Sequence, residues 1–138
     1  MWKWYLAMVV IGLYGCDMSM PAPRKSELIG SWTVEFIGER PVIDRSPAFI
    51  QFTEDDKVAG NSSCNRFSAS YSLSETQLSL GQAASTRMAC PEALMEQEQR
   101  FLAALARVAQ VQLENGILEL TDADGTLALK ASRQENTQ

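Results

Sequence analysis

The 138-residue sequence contains no histidine, three cysteines and 8% aromatic residues. Without histidine the commonest general base is gone, and with it the Ser-His and Cys-His nucleophile pairs and the usual zinc and iron ligand sets. Positive charge is also in short supply: 12 Lys and Arg face 17 Asp and Glu, a net charge of −5. That balance excludes a basic phosphate-binding groove, so no nucleic-acid partner is expected. The uncharged run Tyr5 to Gly15 falls short of the ~20 apolar residues a transmembrane helix needs. The length suits one compact core and not two ordinary domains. No cofactor, metal or enzymatic activity is expected of such a chain.

What is present begins with an address. Lys3 is the only charge before Asp17, and the apolar run behind it has the layout of the n- and h-regions of a secretory signal. It ends in Leu13-Tyr14-Gly15-Cys16, which resembles a bacterial lipobox, whose cysteine becomes the acylated first residue of the mature chain. The competing readings are an ordinary signal peptide with a chance cysteine, or an amphipathic N-terminal helix. The lipobox implies a signal peptide over 1–15, a lipidated Cys16 and a membrane anchor in a bacterial envelope, facing the periplasm. Several acyl chains would make that anchor durable. Asp17 resembles an inner-membrane retention signal, a rule that varies between bacterial groups, so the choice of inner or outer membrane stays open. Loss of 1–15 leaves eleven cations against seventeen anions, a charge of −6. Cys64 and Cys90 then form an even pair in an oxidising compartment and read as a disulfide, worth about 3.5 kcal/mol by loop entropy. Two buried free thiols are the alternative.

Residues 16–25, with Pro21 and Pro23 and no apolar period, are expected to be a lipidated cysteine on a flexible tether. The folded domain should span 26–131 and a polar tail 132–138. Period-two alternation predicts strands over Ser31–Ile37, Ala48–Phe52, Lys57–Ser62, Phe67–Leu73 and Gln77–Leu80. A helix follows from Pro91 to Ala109, with Leu94, Phe101, Leu105 and Val108 as its apolar stripe and Glu98 inside it. Asn115-Gly116 marks a tight hairpin between Val111–Glu114 and Ile117–Thr121, and Thr126–Ala131 adds a last strand. These elements define an α+β fold: a curved antiparallel, barrel-like sheet of about six to eight strands, with one long helix packed on its open side.

Two blocks carry a family likeness. Gly60-Asn61-Ser62-Ser63-Cys64-Asn65-Arg66-Phe67 and Ser85-Thr86-Arg87-Met88-Ala89-Cys90-Pro91, with Tyr71 and Glu98 to Leu105, resemble the META domain of the HslJ-like family. That family comprises bacterial envelope lipoproteins and heat-inducible proteins and occurs in trypanosomatids. Ser63 stands where the family commonly has glycine, so a residue with a side chain must hold that turn. The resemblance implies a fold similar to that of secretin pilot lipoproteins, a cracked β-barrel held open by a helix, and no catalytic activity. It also brings Cys64 beside Cys90 and so gathers Asn65, Arg66, Thr86 and Arg87 into a polar cluster. Glu98, costly to bury alone, should be protonated or paired there, with Arg66 or Arg87 as partner.

Other motifs carry less. Asp122-Ala123-Asp124-Gly125 starts like a calcium loop, but position twelve is Arg133 and not glutamate, so a plain turn is expected. Asn61-Ser62-Ser63 fits a glycosylation sequon that bacteria seldom use. No serine stands three residues before Lys25, Lys57 or Lys130, as a Ser-Lys pair requires. Met88 and Met95 are expected to fill gaps in the core. The sequence thus points to a monomeric, non-enzymatic envelope lipoprotein that binds an envelope protein or supports envelope integrity under heat or antibiotic stress. The alternative is a carrier, holding an acyl chain or a secretin segment in a cavity bounded by Trp32, Phe52 and Tyr71.

Overall fold

The structure, a computed structural model, describes residues 20–135 together with Gly12, Gly15 and Cys16. Most of the expected signal segment and lipobox, and the last residues of the tail, lie outside the described residues. In chain order the elements are α1 (Lys25–Leu28), β1 (Gly30–Ile37), β2 (Arg40–Pro41), β3 (Phe49–Phe52), β4 (Lys57–Asn61), β5 (Arg66–Ser74) and β6 (Gln77–Leu80). They continue with β7 (Ala84–Ser85), α2 (Glu92–Arg107), β8 (Gln110–Glu114), β9 (Ile117–Thr121) and β10 (Leu127–Arg133).

All strand pairs are antiparallel, in the order β10-β9-β8-β6-β5-β4-β3-β1, and β1 pairs back to β10. Closure removes the free edges that an open sheet would present. Alternation drives it: along β5, Phe67, Ala69 and Tyr71 point inward while Ser68, Ser70 and Ser72 face solvent. The Asn115-Gly116 turn forms as its chemistry demands, with φ of 52° and 75° at the two positions. Gly60 answers a different need, since a Cβ there would lie 2.0 Å from the Phe49 carbonyl oxygen on the facing strand.

The barrel is weakest between β6 and β8, where the ladder holds one residue pair, Gln77 with Gln110. Beyond it the strands part. The chain from β6 through β7 stays with β5, whereas α2 packs into the gap beside Leu80, Ala83 and Ser85. The helix so covers the open side, as the periodicity predicts, and closes the mouth formed by the β1–β3 and β4–β5 connections. Its buried face is Gln97, Glu98, Phe101, Ala104 and Leu105; Leu94, expected in the stripe, is only half-buried. Pro91 is the residue before the first turn, and the helix ends at Arg107, two residues short of Ala109.

The interior is filled. Trp32, Ile50, Phe52, Phe101, Leu118 and Leu120 are each at most 1% exposed, and Phe67 packs on Phe101 with ring centroids 5.4 Å apart. Across the opposite mouth lies α1: Trp32 donates its indole N–H to the Leu28 carbonyl at 2.9 Å, and Lys25 Nζ meets Asp56 at 2.5 Å. Pro23 is buried, so the chain expected to be a loose tether is packed from that point. At the other terminus β10 continues through Ser132 and Arg133, paired with Thr33 and Trp32, so the expected tail begins two residues too early. Arg133 lies over the Trp32 ring at 4.2 Å, a cation–π contact.

Candidate functional site

Cys64 and Cys90 are joined, with Cα atoms 5.9 Å apart, and the bond ties the β4–β5 turn to the chain entering α2. The polar cluster assembles beside it. Glu98, 6% exposed, receives the Ser62 hydroxyl (2.5 Å) and the Asn65 backbone N–H (2.6 Å) on Oε1, and the Asn65 amide (2.7 Å) on Oε2. The Asn65 carboxamide is saturated on its other side, where Oδ1 accepts from Met88 N (2.6 Å) and Thr86 Oγ1 (3.0 Å). Asn65 therefore couples the helix to the 86–88 segment through one amide whose orientation is dictated by its partners.

Burial alone would push the Glu98 carboxyl up. The hydrogen bonds from Ser62 and Asn65, with the Cys64 backbone, outweigh it and hold the group below the usual carboxylate range. This corrects the expectation of a protonated or arginine-paired Glu98: its carboxylate form is favoured by hydroxyl and amide donors, with no arginine among them. Arg66 joins the cluster only through its backbone, giving N–H to Thr86 Oγ1 and accepting from Thr86 N, while its side chain is exposed. Arg87 is exposed on the lip of a groove and not in the cluster.

Three members of the cluster were not anticipated: Ser62, the hydroxyl donor to Glu98, and also Gln97 and Ser63. Gln97 is wholly buried and gives its amide to Ser46 Oγ (2.8 Å) and Ser63 Oγ (2.9 Å) while accepting from Ile43 N (2.8 Å). The signal was there: Gln97 lies four residues before Phe101 and beside Glu98 on the same stripe. Ser63 holds φ of +126°, the region that favours glycine. The departure noted at this position is thus a real strain, and the bond from Gln97 accompanies it.

Above the cluster runs a groove between β7 and α2, lined by Leu80, Ala83, Ser85, Met88, Met95 and Leu102. Met88 is 58% exposed on its rim, so it is not the core filler expected. Thr86 N–H points to Arg66 on β5, and by strand alternation the amides of Ala83 and Ser85 point away from β5, toward the groove. Elsewhere, Asp122 Oδ1 accepts the N–H groups of Asp124 and Thr126, a plain Asx turn. Among the described residues no group of three or more metal-ligating side chains is assembled.

A closed antiparallel barrel with one packed helix, stapled by a disulfide next to a buried carboxylate–amide cluster, defines a class of small lidded barrels. The META domain profile matches residues 26–135, and the chain belongs to the META domain family. It is 36% identical over 127 residues to heat shock protein HslJ of Escherichia coli (strain K12), covering 91% of this chain and 89% of that protein. A solved protein from Burkholderia xenovorans has a TM-score of 0.65 at 25% identity, covering 88% of this chain and 97% of its own. A DUF4847 family protein from Bacteroides vulgatus, with a TM-score of 0.59 at 13% identity over 78% of this chain and 96% of its own, shares the fold alone.

Proposed function

We propose that this protein is a non-enzymatic envelope lipoprotein, acylated on Cys16, whose barrel binds an extended segment of another envelope protein and so supports envelope integrity under stress. The observation that carries this reading is the outer edge of β7 along an apolar groove, unpaired among the described residues. A sheet edge offers backbone N–H and C=O groups to an added strand, and pockets beside it select alternate side chains. Here the walls are Ala83, Met88 and Leu102, and the exposed Arg87 flanks one end. The fitting partner is an extended segment, apolar at alternate positions and acidic at one end. Because Trp32, Phe52 and Tyr71 are packed against neighbours, a surface partner is favoured over an acyl chain carried inside. The heat-shock name of the Escherichia coli relative supports a stress setting.

The test is a photo-crosslinking amino acid at Gln82, exposed beside the groove, in the native envelope. A discrete adduct with one envelope protein is expected, and Ser85→Pro should abolish it, because the outward amide is removed while the pairing to β5 is kept. A lipid adduct, or a protein adduct indifferent to Ser85→Pro, would refute the reading.

A further inference from the structure

Where the anchored chain leaves the barrel limits how the domain can sit on a membrane. Met20 is the first residue of the continuous described chain, and it borders one groove with Gln112, Glu114, Asn115 and Ile117, on the outside of the β8–β9 hairpin. That hairpin tip is at the α1 mouth, together with the turns Thr53–Asp56 and Ser74–Thr76. Only three residues lie between Cys16 and Met20, four steps along the chain, so the two Cα atoms lie at most about 14 Å apart. The α2 mouth is farther away. From Gln112 back to Gln110 the strand covers about 7 Å, and α2 adds a helix diameter of about 10 Å beyond it. The span exceeds the reach of the chain.

We infer that the lipid surface faces the α1 mouth and the Asn115-Gly116 tip, and that the α2 mouth with the β7 groove points away from the bilayer. This rests on acylation of Cys16, as proposed above. The α1-side turns carry Glu54, Asp55, Asp56, Glu75 and Glu114 beside Lys25 and Lys57, a net acidic face that anionic headgroups repel, so only the lipid chain, and not adhesion, would hold it at the surface. Of the three exposed large apolar residues among the described ones, Met20 adjoins the anchor, on the side turned to lipid, and Ile43 and Met88 belong to the α2 side, where water and proteins would meet them.

The experiment uses the lipoprotein purified from its host and reconstituted in phosphatidylglycerol–phosphatidylethanolamine vesicles carrying nitroxide headgroups. With Cys16 acylated and Cys64 bonded to Cys90, a fluorophore on Ser74→Cys or on Ala103→Cys labels one site in each variant. Both positions are exposed, Ser74 at the α1 mouth and Ala103 on the outer face of α2. Intact mass is read first: an unmodified Cys16 sinks both the anchor and the orientation. With acylation present, loss of emission at Ser74 and unchanged emission at Ala103 is expected. A Gly-Ser insertion between Ser19 and Met20 should reduce the difference. Equal quenching at the two sites, no quenching at either, or stronger quenching at Ala103 overturns the orientation and leaves the anchor reading standing.

Discussion

Glu98 is a buried carboxylate with no cationic side chain among its hydrogen-bond donors, and its replacement is the sharpest residue-level test. In Glu98→Gln one amide N–H would face the Asn65 amide, donor against donor, and Asn65 cannot turn over without losing Met88 and Thr86. A cost of about 2–3 kcal/mol is expected in denaturant unfolding at neutral pH. Because the folded carboxyl lies below its ordinary 4.5, its contribution is present above that pH and lost as pH falls through the lowered value. The gap between wild type and Glu98→Gln should accordingly narrow below about pH 4.5, and a gap constant down to pH 2.5 would contradict the assignment. At Ser63, glycine relieves the positive φ while alanine keeps it, and both lose the bond from Gln97. Ser63→Gly should be more stable than Ser63→Ala by about 1 kcal/mol in thermal unfolding. Glu98's burial was legible because the helical period put it among apolar residues. Its partners were not, because a stripe reveals which side chains are covered and not which donors meet them, and formal charge pointed wrongly to arginine. Gln97 shared the stripe and was readable by the same logic.

At the level of elements, the disulfide and the two chain ends determine how far the lidded barrel holds together. Cys64 and Cys90 are 26 residues apart, and replacing both by serine should cost about 3.5 kcal/mol through the unfolded state, read as a lower denaturant midpoint with the fold retained. Ending the chain at Ala131 removes two residue pairs with β1 and one with β9, the Arg133 contact with Trp32 and the bonds from Arg133 to Ile29 and Glu27. About 2 kcal/mol is expected, a loss of several degrees in melting temperature, whereas an unchanged melt would mean that the polar tail is dispensable. Period-two alternation and the Asn-Gly turn made the long strands readable to within two residues. The strands β2 and β7, of two residues each, were not, since so short a segment has no period and exists only because β1 and β5 offer a ladder. The same cause hid the end of β10: Ser132 and Arg133 are polar and gain their place from β1, a hundred residues away in the chain.

For the molecule as a whole, barrel closure between β1 and β10 is a long-range pairing that alternation permits but does not specify, whereas the helix on the open side followed from one long 3.6-period segment. The groove emerges only from the finished fold, because β7 and α2 face each other across a gap left where β8 parts from β6. Strand addition requires that edge to be covered in the envelope. Its most direct test is amide hydrogen exchange of residues 82–87, compared between the purified lipoprotein and the same protein in native envelopes. Slower exchange of this segment in the envelope is predicted, with the β9–β10 amides unchanged. Equal exchange in both settings would contradict strand addition.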